Sequence, residues 1–145
     1  MKLFNREKRK NVIIAGCGRF GSKLASILAA QKDNVSIIDI NEQSFSRLPD
    51  SFNYYSIEGD ATDTDVLVSA GIATADVLIA ATNDDNTNIM IAQIAKEYYK
   101  VSQVTAIVED TLKEAAYEQT GVIAISPLVL SLKELQYILA KESEV

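Results

Sequence analysis

A chain of 145 residues, 48% apolar and 23% charged, is sized for one domain with a core of its own. A net charge of −6 gives no general attraction to nucleic acid. With no histidine and one cysteine, Cys17, an internal disulfide and a histidine acid–base mechanism are excluded, and zinc and most transition-metal sites lack ligands. No apolar run approaches the roughly 18 residues of a membrane span, and the charged N-terminus has no signal-peptide core. The chain is therefore expected to be soluble and cytoplasmic, meeting a membrane only through a partner.

Residues 1–10 form a basic leader with Lys2, Arg6, Lys8, Arg9 and Lys10. It reads as a solvated segment, or as a weak contact for anionic lipid or an acidic partner. A first β-rich run, Asn11–Ala15, leads into a glycine loop and a helix over Arg19–Lys32. A second run covers Val35–Asp39. Asn41 then caps a short helix that stops at Leu48, before Pro49. A third run, Asn53–Ile57, precedes a helix over Asp63–Ala70, which Gly71 ends. A fourth run, Asp76–Ala81, is followed by a helix from Asp84 or Asp85 to Lys100, with Ile89, Ala92, Ile94 and Ala95 spaced for burial on one side. A fifth run, Gln103–Val108, precedes a helix over Thr111–Gln119. A sixth, Val122–Ile125, precedes a last helix over Pro127–Lys141.

Strand-like runs joined by helical crossovers predict an α/β fold: a Rossmann-like, doubly wound, parallel six-stranded sheet in the order 3-2-1-4-5-6. The domain is assigned to residues 11–126 and a C-terminal helix to 127–145. In that helix Leu128, Leu132, Leu135 and Leu139 recur at helical spacing, with Leu130 and Ile138 on the flanks. They read either as packing on the domain's own sheet or as packing on another subunit or domain.

Gly16-Cys-Gly-Arg-Phe-Gly21 matches G-x-G-x-x-G directly after a strand and at a helix start. Gly16 permits the turn, Gly18 lets phosphate approach the backbone, and Gly21 lets the helix pack close to the strand. Free N–H groups of the first helical turn face the phosphates, and the Arg19 guanidinium can fork onto them. Cys17 reads as a small filler, or as a thiol whose pKa the helix start lowers. Asp39, with Ile40 beside it, ends the second strand where an acid accepts hydrogen bonds from ribose hydroxyls and repels a 2′-phosphate. Asp60, after the third strand, is an acceptor for an adenine amino group, and Asp63 reads as a cap. Thr82 and Asn83, after the fourth, bring hydroxyl and amide groups to the same crevice for ribose or phosphate, or serve as turn residues.

Val12-Ile-Ile-Ala-Gly-Cys-Gly-Arg-Phe-Gly21, Ile37-Ile-Asp-Ile40, Glu58-Gly-Asp-Ala-Thr-Asp63, Ala75-Asp-Val-Leu-Ile-Ala80, Thr82-Asn-Asp-Asp85 and Ile125-Ser-Pro127 together resemble the N-terminal RCK domain, also called TrkA-N or KTN, over roughly Asn11 to Lys141. The resemblance implies a regulator of potassium channels or Trk/Ktr-type uptake systems that binds ATP, ADP or NAD(H) and is not an enzyme. It implies phosphate contacts from Gly18, Arg19 and Phe20, ribose contacts from Asp39, adenine contacts from Asp60 and Ala61, and a place for Thr82 near the nucleotide. It also implies a homodimer or ring that gates a membrane partner, with the last helix crossing to a neighbouring subunit or leading to a C-terminal domain. Two positions depart from the family pattern. Ile107-Val-Glu-Asp110 stands where members often have Arg-Val-Asn-Asp, and Gly121-Val-Ile123 lacks the usual acid. The competing reading is an NAD-dependent oxidoreductase fragment. Against it stand the absent histidine, the absent substrate domain and the lack of a Tyr-x-x-x-Lys pair after the fourth strand.

Overall fold

A computed structural model describes residues 8–51 and 53–142. Lys2 and Arg6 of the basic leader and the last three residues of the C-terminal segment lie outside the described residues.

The strands are β1 (Asn11–Ala15), β2 (Asn34–Asp39), β3 (Tyr55–Glu58), β4 (Val77–Ala80), β5 (Gln103–Ile107) and β6 (Ile123–Ile125). All pair in parallel, in the order β3-β2-β1-β4-β5-β6. The α-helices are α1 (Arg19–Ala30), α2 (Thr64–Ser69), α3 (Asp85–Gln93), α4 (Thr111–Tyr117) and α5 (Pro127–Glu142). The doubly wound sheet thus follows from the alternation of short β-branched runs with amphipathic ones.

The side chains of one strand alternate between two cores. Ile13, Ala15, Ile38, Leu78, Ala80, Val104 and Ala106 meet Leu67, Ile89, Ala92 and Ala95 on the α2/α3 face. Val12, Ile14, Val35, Ile37 and Ile79 meet Ala25 and Leu28 of α1, with Phe45 and Leu48 packed against them, on the other face. β1 is buried on both sides from Val12 to Ala15, which explains its unbroken apolar run.

Local chemistry sets the element ends. Asn41, Asp63, Asp84 and Asp110 each accept a backbone N–H of the turn that follows. Gly71 takes φ +88° at the end of α2, a left-handed conformation that favours glycine. The segment after Asn41 is a 3-10 turn, Glu42–Arg47, rather than an α-helix. β3 begins at Tyr55, two residues later than expected, because Ser36 of β2 pairs with Tyr55. The helix predicted to reach Lys100 is α3 followed by a π turn over Ile94–Tyr98, closed by Lys100 at φ +55°.

The last helix does not pack on its own sheet. Every residue from Leu130 to Glu142 is exposed, and so is Ile123 of β6, while Ile125 is half-buried. The reading of α5 as ordinary packing on its own sheet edge is therefore corrected.

Candidate functional site

In a parallel doubly wound sheet the loops at the strand C-termini converge where the strand order reverses, here between β1 and β4. Gly16 to Gly21, Asp39 and Ile40, Asp60 and Ala61, and Thr82 and Asn83 follow β1, β2, β3 and β4 respectively. These four strands are neighbours, so the fold brings every predicted site residue to one edge.

The glycine loop is held from both sides. The Gly16 N–H donates to the Ile38 carbonyl at 2.7 Å, while the neighbouring β4 chain donates through Ala81 N–H to the Ala15 carbonyl at 2.7 Å. Gly16 has φ +107°, and a Cβ there would collide with the Ala81 carbonyl. A Cβ at Gly21 would collide with the Gly16 carbonyl oxygen. Both glycines are therefore required by backbone packing. Gly18 differs, since no heavy atom lies within 4 Å of where its Cβ would stand. It is the N-cap of α1 and supplies no capping side chain. Among the described residues no acceptor takes the N–H groups of Gly18, Arg19 or Phe20. A helix start of this kind carries partial positive charge and unsatisfied donors, a fit for an anion.

Asp39 couples the second strand to this loop. Its Oδ2 accepts the Cys17 N–H at 2.8 Å and its Oδ1 accepts the Asn41 N–H at 2.8 Å. A carboxylate has about four lone-pair sites, so two backbone donors leave room for a diol. Ile40 beside it is 74% exposed, an apolar surface at the rim. Asp60 uses Oδ1 for the Thr62 N–H and hydroxyl, which together hold its carboxyl below the ordinary value. Ala61 is buried, and its methyl belongs to the core rather than to the crevice.

Thr82 is positioned by a residue that the motif reading did not single out. Asn88, 1% exposed, accepts the Thr82 N–H and hydroxyl through Oδ1, and donates through Nδ2 to the carbonyls of Thr82 (3.1 Å) and Ile107 (2.8 Å). Asn88 thus ties the ends of β4 and β5 together. Asp84 caps α3 by accepting the Thr87 N–H and hydroxyl, which lowers its pKa. Asp85 accepts the N–H groups of Glu109 and Asp110 at 2.8 and 2.9 Å, fixing the loop that carries the Glu109 departure. Asn83 is exposed at the rim.

At Cys17 the filler reading agrees with the structure, and only the alternative of a lowered thiol pKa is corrected. The helix start was expected to lower its pKa if it acted as more than a filler. The thiol is fully buried, and burial, then the Asp39 carboxylate, push it up to about 11, against a smaller opposing effect of Arg47. Its Sγ lies 3.3 Å from the Ser44 carbonyl as a donor. It is an inert packing residue at neutral pH. Arg47, also absent from the predicted site, donates through Nη1 to the Cys17 carbonyl at 3.3 Å. Together with Arg19, Ser22, Lys23, Ser26 and Pro49 it lines a groove of about 460 Å³ along α1. Among the described residues no group of three or more acidic, Cys or His side chains is placed to hold a metal ion.

With this geometry in place, comparison with known proteins decides the family. The TrkA-N domain family model matches residues 12–127. The chain belongs to the TrkA-N domain family. The Trk system potassium uptake protein TrkA of Streptomyces coelicolor is 36% identical over 116 residues, which are 80% of this chain and 52% of that protein. The chain spans about half the length of this curated relative. Among solved structures, the GsuK RCK domain superposes with a TM-score of 0.75 at 25% identity, covering 91% of this chain and 28% of that one. The Kef CTD of Shewanella denitrificans in AMP-bound form superposes with a TM-score of 0.72 at 29% identity, covering 86% and 75%. In this TrkA-N domain the matched segment begins at β1 and ends at the first residue of α5. No helix among the described residues is long and apolar enough to cross a membrane.

Proposed function

We propose that this TrkA-N domain is the nucleotide-binding regulatory part of a potassium-transport system: it holds an adenine nucleotide at the glycine loop and passes its occupancy to a membrane partner. The observation that carries the reading is the uncapped start of α1, where three N–H groups without acceptors among the described residues stand beside the Asp39 carboxylate at the switch point. A phosphate satisfies the donors and the ribose diol fits the acid. In this reading Gly18, Arg19 and Phe20 meet the phosphates, Asp39 and Ile40 the ribose, and Asp60 with the Ala61 backbone the adenine. Thr82 and Asn83 close the crevice from β4. The potassium relatives and the AMP in the Kef neighbour support both halves of the proposal. ATP, ADP and NAD(H) all present an unphosphorylated ribose to Asp39, whereas NADP places a second negative charge against it.

The signalling half rests on α5. Leu128, Leu132, Leu135 and Leu139 are each more than half exposed and share one stripe, and Ile123 leaves part of the β6 face uncovered. Buried against a second copy, these surfaces make a homodimer or ring in a cytoplasmic assembly under its transporter. A nucleotide biases such an assembly only by binding its arrangements with different affinity.

The test is calorimetric titration with ATP, ADP, NAD+ and NADH, with Arg19→Ala alongside. Tight binding of one nucleotide, weakened about tenfold by the substitution, is expected for a lost charge-assisted phosphate contact. Binding of none by the folded protein sinks the nucleotide reading.

A further inference from the structure

Arg47 lies 30 residues beyond the glycine loop, yet its guanidinium bonds to the loop's backbone at the Cys17 carbonyl. The same residue's N–H is taken by Asp39 and its thiol by the Ser44 carbonyl. All three polar groups of Cys17 are therefore committed to β2 and the 3-10 turn that follows it. The turn is itself fixed, because Asn41 caps it and Phe45 and Leu48 pack into the core.

This has a consequence for the next residue. No peptide bond in the described chain is cis, so the Cys17–Gly18 peptide is trans and planar, with its C=O and N–H pointing in opposite directions. The carbonyl is drawn toward Arg47, on the flank of α1. The Gly18 N–H must then face the opposite side, where no acceptor among the described residues takes it. Rotating this peptide by half a turn would aim a carbonyl, not a donor, at an incoming phosphate. Gly18 lacks the side chain that would resist such a rotation, so the restraint has to come from outside the loop.

Arg47 is an exposed residue at the end of the 3-10 turn. Among the described residues it makes no ion pair, and it shares its groove with two further cations, Arg19 and Lys23. The bond to the Cys17 carbonyl is the one hydrogen bond of its guanidinium to the protein among those residues. We infer that Arg47 is a positioning residue: it fixes the Cys17–Gly18 peptide so that the Gly18 N–H faces the phosphate site. The inference rests on the nucleotide reading for its functional value, but the peptide restraint is a property of the free protein.

Three variants separate the possibilities. Arg47→Met keeps most of the side-chain bulk and removes the donor, Arg47→Lys keeps a donor and the charge, and Arg19→Met removes a cation that does not hold the loop. The readouts are the heteronuclear ¹⁵N NOE of the Gly18 amide in the free protein and the affinity for the nucleotides titrated above, with the melting temperature as a control for folding. Arg47→Met is expected to lower the Gly18 NOE and weaken binding about tenfold, the scale of one charge-assisted hydrogen bond. Arg47→Lys is expected to restore both largely. Arg19→Met is expected to weaken binding with the NOE unchanged. An unchanged Gly18 NOE in folded Arg47→Met overturns the inference, and if affinity nevertheless falls, Arg47 acts on the ligand through charge. Should the wild-type protein bind none of the nucleotides, the proposed function fails while the NOE comparison still decides the role of Arg47.

Discussion

In Gly18→Ala the added methyl group enters open space, with no heavy atom within 4 Å, at a φ of −81° that suits any L residue. The loss of a slightly better N-cap and the gain from a less flexible unfolded chain nearly cancel, so stability changes by no more than about 0.5 kcal/mol. The methyl stands where the phosphates must approach the backbone, and a tenfold loss of affinity corresponds to about 1.4 kcal/mol. Gly21→Ala is the opposite case. Its Cβ would collide with the Gly16 carbonyl oxygen, a backbone atom that cannot step aside without moving β1. Overpacking of this kind costs about 1–3 kcal/mol, set against roughly 1 kcal/mol of improved helix propensity. Urea unfolding followed by circular dichroism, paired with nucleotide titration, reads both quantities. Gly18→Ala should keep its unfolding midpoint and lose binding, while Gly21→Ala should unfold earlier. Wild-type affinity in Gly18→Ala, or a destabilisation matching that of Gly21→Ala, would refute the assignment of Gly18 to ligand approach.

Asn88→Leu strands the N–H and carbonyl of Thr82 and the carbonyl of Ile107, and should cost about 3 kcal/mol in urea unfolding; a loss below about 1 kcal/mol would mean water replaces the amide. The buried Cys17 thiol holds its proton to about pH 11 against an ordinary 9.0, so the unfolded chain releases that proton first. Its contribution to stability is thus complete below pH 9 and lost as pH rises through about 11. The stability difference between wild type and Cys17→Ala should shrink over that window, and a constant difference would contradict the shift. Leu132→Asp combined with Leu139→Asp should leave the far-UV circular dichroism of the domain unchanged, since both side chains are exposed on the single chain. Sedimentation should show the same pair converting a dimer to a monomer, and a dimer that survives would exclude α5 from the interface.

The elements read correctly are those whose signals are local. A run buried on both sides, Val12–Ala15, needs no partner to be recognised, and the glycine loop carries its own spacing. Asp63, Asp84 and Gly71 act within their own turn, so caps and stops were legible in the residues themselves. The strand order followed because parallel strands joined by helices have few ways to wind. Tertiary structure decided the rest. Arg47 meets the loop across 30 residues, Asp85 meets Glu109 across 24 and Asn88 meets Ile107 across 19, and no periodicity links positions so far apart. The pKa of Cys17 turned on whether burial and Asp39 outweigh a helix start, which only packing determines. The leucines of α5 gave the helix and its stripe, but whether that stripe met its own sheet or stood free depended on where the chain turned after β6.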